Sequence, residues 1–459
     1  MSDLGQVLSR LPAGARQRLM RQVAGGQVAD LVGEGKARSQ AVPKREQSAS
    51  IEDWPELKDL RRLQAMGASA KIPNPYYKLH TTRAGATTTI NDRTLSNFAS
   101  YDYLSLNGHP AIHARVVEAI ERYGTSVSGS RMVSGERDLH GALEDGLAAV
   151  YGVAAALTFV SGHATNVSVL SSLFGPHDLI CHDALAHNSI VKGAEASGAH
   201  RIAFPHNDWQ AVDDLLTQNR GRYRRVVIAI EGLYSMDGDA PDLARFVEVK
   251  DRHDALLMVD EAHALGVLGA TGRGTGEHTG VPGDAVDIWM GTLSKTLCSA
   301  GGYVAGSDAL ITLLKYTASG FVYSVGLPPA ATAAALTALQ LMRDEPQRVA
   351  TLAARSRQFC ATAAALGLDT GLATGHAVVP IITQDSAAAL KLSAALCEAG
   401  INVMPATYPG VEEGRARLRF FLCTDHSGPQ VEEALATVRR LAESIAPRCL
   451  SAPRATPAT

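Results

Sequence analysis

From about residue 74 onward the chain alternates two hydrophobic rhythms. Short runs are apolar at nearly every position: "AALTFV" (155–160), "DLICH" (178–182), "RVVIAI" (225–230), "ALLMVD" (255–260) and "AVDIWM" (285–290). Between them lie longer stretches of helical period. Strands with no polar alternation must be covered on both sides, and strands separated by helices build a parallel sheet with helices on each face. The pattern predicts an α/β protein with a mostly parallel sheet in a large domain. After the Ala-rich helix "GLPPAATAAALTALQLM" (326–342) the texture becomes mixed. There "AVVPIIT", "INVMPAT" and "RARLRFFLC" read as strands of a smaller C-terminal α/β domain.

The beginning of the chain reads differently. "LPAGARQRLMRQVAGGQVADLVGEG" (11–35) predicts a helix with Leu19, Val23, Leu31 and Val32 on one face, interrupted at Gly25-Gly26. "KARSQAVPKREQSAS" is polar and reads as a linker. The expected organisation is an N-terminal helical and linker segment (1–55), an arm (56–95), a large domain (96–330), a small domain (331–450) and a tail (451–459).

Composition narrows the class. A chain of 459 residues can bury a large core and divide into domains. Net charge is −3 with both signs interspersed, which points to neither nucleic acid nor an anionic membrane. No apolar run reaches the ~18 residues of a transmembrane helix, and the N-terminus has no apolar signal core. The six cysteines are far apart without a CxxC pair, so they read as reduced thiols in a cytoplasmic protein, with no metal site expected.

The chemistry-bearing residues gather where apolar runs end. Ligands of open parallel sheets bind beyond the carboxyl ends of the strands. "RVVIAI" leads into "EGLYSMDGD" and delivers Ser235; "ALLMVD" leads into "EAHALG" and delivers Asp260 and His263. "AVDIWM" leads into "GTLSKTLCSAGG", delivering Thr292, Ser294 and Lys295. "AALTFV" leads into "SGHATN", a Ser-Gly turn opening a helix, whose free N–H groups and dipole suit an anion. Singly, each has an ordinary alternative: a strand-end aspartate caps helices, a Ser-Lys pair is solvated, a histidine is structural. Their joint occurrence in order is what carries weight. An anion turn, a carboxylate and a lysine at neighbouring strand ends suit pyridoxal phosphate. The phosphate would sit at Gly162–His163 with Thr292, and Lys295 would join the aldehyde as a Schiff base. Asp260 would face the pyridine nitrogen, His187 would stack on the ring, and His263 would meet the ring hydroxyl.

These motifs resemble those of the α-oxoamine synthases. The resemblance spans about residues 74–447 and rests on "NFASYDYLSL" (97–106), "VSGERDLHGALE" (133–144), "EGLYSMDGD" (231–239), "VDEAHALGVLGATGRG" (259–274) and "GTLSKTLCSAGGY" (291–303). It implies a fold-type I pyridoxal phosphate-dependent transferase, active as a homodimer. Carried over residue by residue, it implies Lys295 as the Schiff-base lysine and Asp260, His263 and His187 in the roles above. Thr292 and Gly162–His163 become phosphate contacts, and Ser235 lies near the ring oxygen. Arg419 in "RLRFF" would grip the amino-acid carboxylate. Arg417 shares a face with it on the expected strand, so that choice rests on the resemblance alone. Ser324, in "VYSVGLPPA", would reach the partner subunit's cofactor.

The implied reaction is a decarboxylative Claisen condensation of an amino acid with an acyl thioester, giving an α-aminoketone. Tyr101 replaces an asparagine of the biotin-synthesis branch and is expected to contact substrate, and Ser294 replaces a common glycine. Both features point away from that branch. "NPYYKLHTTRAGATTTI" and "GTSVSGSRMVSGERDLH" resemble members associated with polyketide synthases, and residues 11–35 resemble the lead-in to acyl-carrier domains. An acyl carrier protein is therefore the expected donor partner. The competing expectations are an acyl-CoA donor as in serine palmitoyltransferase, an aminotransferase, and a non-catalytic scaffold subunit, the last opposed by Lys295.

Overall fold

The computed structural model describes residues 50–70 and 72–450, and the helix expected at 11–35 lies outside the described residues. In chain order the strands are β1 (Thr87–Ile90), β2 (Arg93–Asn97), β3 (Ala155–Phe159), β4 (Leu179–Asp183), β5 (His200–Phe204), β6 (Val226–Glu231) and β7 (Leu256–Asp260). They continue as β8 (Ile288–Thr292), β9 (Gly302–Gly306), β10 (Val378–Gln384), β11 (Ile401–Asn402), β12 (Met404–Ala406) and β13 (Ala416–Phe421).

The apolar runs became a seven-stranded sheet ordered β3-β9-β8-β7-β6-β4-β5. Its neighbours from β8 through β5 pair in parallel, and β9 runs antiparallel to both β8 and β3. Every residue of β4, β6 and β9 is buried, as two-sided cover requires. Alternate residues feed two separate cores. Ile228, Ile230, Leu257 and Val259 join one, whereas Val227, Ala229, Met258 and Met290 join the other with the helices Gly162–Leu173 and Asn188–Ser197. The mostly parallel α/β fold expected from the sequence is therefore the fold observed. β9 escaped the pattern because "GYVAG" is short and glycine-rich, and β5 ("HRIAF") because it is an edge strand with only its last residue buried.

Two smaller sheets complete the fold. β10, β13 and β12 form an antiparallel sheet with β13 central. The stretch expected as the single strand "INVMPAT" divides at Val403. β12 stays in that sheet, while β11 pairs in parallel with β2, so the 87–97 hairpin and residues 401–402 share a third sheet. The helix Pro329–Asp344 packs on the helices Pro110–Tyr123 and Asp138–Tyr151. Among the described residues, no helix is long and apolar enough to cross a membrane.

Candidate active site

The carboxyl ends of β3, β6, β7 and β8 meet β13 at one cleft. Beyond β8 the chain doubles back on itself, with Leu293 N–H donating to Gly301 O at 3.0 Å and Cys298 N–H to Lys295 O at 3.0 Å. Thr296 Oγ1 ties this loop to Leu265 O at 2.7 Å. Lys295 is thereby held half-buried, with Nζ 5.7 Å from the Tyr101 ring centroid. Burial pushes its amine down to about 8; Asp260 and Glu231 oppose that shift and Arg419 adds to it.

Asp260 ends β7 and is buried. Its Oδ2 accepts from Asn166 Nδ2 at 2.8 Å and its Oδ1 from Ala262 N–H at 3.0 Å. The same Asn166 amide donates to Ser189 Oγ at 2.9 Å, and Ser189 Oγ lies 2.7 Å from His187 Nδ1. A polar chain thus runs from the aspartate to the histidine. Desolvation holds His187 below the ordinary histidine value, with Asp260 partly offsetting it and Lys295 reinforcing it. His163 stands edge-on to His187, centroids 6.3 Å apart.

The anion turn is shaped by close approach. A Cβ on Gly162 would lie 2.8 Å from Thr292 Oγ1, and one on Gly302 would lie 2.6 Å from Gly162 Cα. Only glycine at both places lets the helix Gly162–Leu173 begin against the end of β8. Ser161 Oγ caps that helix by accepting from Ala164 N–H at 3.3 Å, leaving the N–H groups of Gly162 and His163 pointing out of the first turn. Thr292 Oγ1 donates to Gly301 O at 3.0 Å and is 2.8 Å from Ser294 Oγ. Backbone donors and hydroxyls meet there, the donor set a phosphate takes.

On the opposite wall His263 Nδ1 is 2.6 Å from the Tyr103 hydroxyl. Burial drives His263 well below and Tyr103 well above their ordinary values, so the imidazole is neutral and the phenol keeps its proton. The Tyr101 ring stands edge-on to His263 at 5.9 Å and to Phe421 at 4.7 Å.

The two β13 arginines have different surroundings. Arg417 is buried and committed, with Nη1 2.6 Å from Asp237 Oδ1 and 2.8 Å from Met236 O. Arg419 Nη1 donates to Ser235 O at 3.1 Å and Nη2 reaches the Tyr101 hydroxyl at 3.5 Å. Its guanidinium lies 4.6 Å over the Phe421 ring, and its Nε is buried without a hydrogen-bond partner. Among the described residues no carboxylate pairs with Arg419. It is a desolvated cation still able to take an anion.

The fold therefore gathers Lys295, Asp260, His187, His263, Thr292, Gly162, His163, Ser235, Arg419 and Tyr101. Ser324 is different. It follows the short helix Ser319–Val322, between exposed Tyr323 and Val325, and among the described residues it makes no hydrogen bond to the others. Sequence reasoning missed Asn166, Tyr103 and Glu231. Asn166 lies one helical turn beyond Gly162, a spacing that places it against the strand ends, and Glu231 ends an apolar run just as Asp260 does. The two carboxyls are cross-strand partners, and burial with the neighbouring Asp260 raises Glu231 well above the usual carboxylate range.

This set fits pyridoxal phosphate. It combines an anion cradle that a Cβ would fill, a buried carboxylate steadied by Asn166, a poised amine and a free arginine. Comparison with known proteins agrees. Residues 93–438 match the aminotransferase class I and II family. The 8-amino-7-oxononanoate synthase of Geobacter sulfurreducens is 39% identical over 367 residues, covering 79% of this chain and 92% of that one. The serine palmitoyltransferase of Sphingomonas wittichii superposes with a TM-score of 0.82 at 29% identity, covering 86% of this chain and 99% of that one. A serine palmitoyltransferase from S. paucimobilis with a bound PLP–myriocin aldimine superposes with a TM-score of 0.81 at 26% identity, covering 85% and 98%. The chain belongs to the aminotransferase class I and II family and is, within it, a pyridoxal phosphate-dependent acyltransferase of the α-oxoamine synthase type.

Proposed function

We propose that this enzyme condenses an amino acid with a carrier-protein-bound acyl thioester, with loss of carbon dioxide, to give an α-aminoketone in polyketide-type biosynthesis. The observation that carries the condensation is the pairing of a depressed lysine with an uncommitted arginine in one cleft. Pyridoxal phosphate, when bound, supplies an electron sink conjugated to the α-carbon of the amino acid. Arg419 holds the substrate carboxylate, and the Ser235 carbonyl and Phe421 ring fix the guanidinium's orientation. Lys295 takes the α-proton: burial brings its amine down to about 8, so a minor but usable fraction is free base near neutral pH, far more than an exposed lysine would offer. The α-carbon attacks the thioester carbonyl, the thiol leaves, the carboxylate departs as carbon dioxide, and Lys295 returns a proton. Asp260, steadied by Asn166, would be the partner of the pyridine nitrogen. With the Tyr103 hydroxyl donating to His263 Nδ1, the Nε2–H of His263 would be the group that meets the ring oxygen.

The exposed residues Tyr323 and Val325 adjoin exposed Met132 and Val133, because Gly326 N–H donates to Gly129 O at 3.0 Å. This apolar patch supports a homodimer in which Ser324 reaches the partner's site, and light scattering at twice the chain mass is the expected result. The six unpaired cysteines support a location in the cytoplasm.

The carrier donor rests on the motifs at 74–90 and 124–140 and on residues 11–35. A tethered acyl group arrives at high effective concentration once its carrier docks, so little affinity for the nucleotide of CoA is needed. The second reading, the same condensation on free acyl-CoA, is favoured by the likeness to proteins named serine palmitoyltransferase, while the 8-amino-7-oxononanoate synthases bear on the biotin branch. Offering one acyl group on a carrier protein and on CoA, with and without residues 1–55, tests the donor. Equal kcat/KM for both donors would remove the carrier.

A further inference from the structure

The segment 231–239, "EGLYSMDGD", touches both units that build the cleft. On the side of the small antiparallel sheet it carries the Ser235 carbonyl under Arg419 and the Met236 carbonyl and Asp237 under Arg417. Thr374 N–H also donates to Gly238 O at 3.2 Å. On the side of the large sheet, its last residue is gripped by the loop after β5. His206 Nε2 is 2.9 Å from Asp239 Oδ2, and Asn207 Nδ2 donates to the same oxygen at 2.7 Å. The other face of the imidazole is equally committed: Nδ1 is 3.0 Å from Asp183 Oδ1 at the end of β4, and Asn207 N–H donates to Asp183 Oδ2 at 2.8 Å. Tyr234 closes the cage, its ring edge-on to His206 at 4.4 Å and its N–H donating to Asp239 O at 2.9 Å.

From this geometry we propose that His206 is a positioning residue for substrate binding: by bridging Asp183 and Asp239 it clamps the 231–239 loop, and through the Ser235 carbonyl it sets where Arg419 can grip a carboxylate. A single imidazole spanning two carboxylates must carry both protons to satisfy them. Burial alone would lower this histidine, but Asp183 and Asp239 overcome it and hold it up at about 10, so the clamp is charged on both sides at neutral pH. A neutral replacement leaves both carboxylates without their charged partner. The loop is then free to withdraw the carbonyl that orients Arg419. Neither His206 nor Asp183 belongs to the residues placed around the cofactor, so the consequence should fall on the amino acid.

This inference rests on Arg419 as the carboxylate contact, and the experiment separates the two. Steady-state kinetics on the holoenzyme compare the unaltered protein, His206→Gln, Arg419→Ala and the double variant, with cofactor absorbance and amide exchange of Tyr234 and Gly238 as further readouts. Loss of a charge-assisted contact predicts that His206→Gln raises the amino-acid KM about tenfold, with kcat within about twofold and cofactor loading unchanged. Tyr234 and Gly238 amides should exchange faster, and the double variant should be no worse than Arg419→Ala alone, because the two residues act through one contact. An unchanged KM in His206→Gln beside a raised KM in Arg419→Ala overturns the clamp and spares the arginine. An unchanged KM in Arg419→Ala overturns the arginine reading and the clamp with it. A loss confined to kcat or cofactor loading overturns the clamp as well. Should His206→Gln fail to accumulate, Asn207→Gly carries the test, since its φ of +54° suits glycine and it removes only the side-chain bond to Asp239. There a KM raised about threefold at constant kcat supports the clamp, and no change overturns it.

Discussion

The buried amine of Lys295 has a cost in the cofactor-free protein that can be measured. Its folded value of about 8 lies below the ordinary 10.5 because burial disfavours the charged form more than Asp260 and Glu231 favour it. Between those two values the unfolded chain holds a proton that the folded chain has released, so stability rises with pH across that window. Below about 8 both states are protonated and the folded state bears the whole cost. At about 1.4 kcal/mol per pH unit, a difference of about 2.5 amounts to about 3 kcal/mol. Lys295→Met keeps the unbranched apolar stem and discards the charge. The cofactor-free variant should therefore exceed the parent by about 2–3 kcal/mol at neutral pH, and the two should converge as pH approaches about 10.5. Urea unfolding of both proteins, without cofactor, from about pH 7 to about pH 10.5 reads the difference directly. The same variant should lose turnover and the yellow colour of the loaded enzyme. A stability difference constant across that range, or a variant weaker than the parent at neutral pH, would refute the account of a desolvated amine.

The β13 arginines should part ways under substitution. Arg419→Ala should raise the amino-acid KM about ten- to a hundredfold with cofactor loading intact, the value of a desolvated charge-assisted pair. Arg417→Ala should instead lower unfolding stability by about 3–5 kcal/mol, because it strands Asp237 in a buried site. Equal KM effects in the two variants would contradict the assignment. Asn166→Ala removes the amide that steadies Asp260 Oδ2, so cofactor titration should give a Kd weaker by about tenfold while circular dichroism stays unchanged.

What the sequence determines by itself is the sheet and the position of its chemistry. A parallel strand buried on both faces has to be written as a continuous apolar run, and the first polar residues after it necessarily emerge at one edge. Ser235, Asp260, His263, Thr292 and Lys295 were legible for that reason. Gly162 was legible as a turn, but the contact that demands glycine there, against Thr292 and Gly302, depends on a strand pairing more than a hundred residues away. β9 and the division of 401–406 between two sheets were hidden, because hydrogen-bond partners decide such short strands rather than periodicity. Arg417 and Arg419 are indistinguishable by spacing. Only the fold places Asp237 under one and leaves the other uncommitted. The same holds for His206, Asn166 and Glu231: each is an ordinary polar residue until a neighbour from a distant part of the chain supplies the charge, the hydrogen bond or the desolvation that gives it a role.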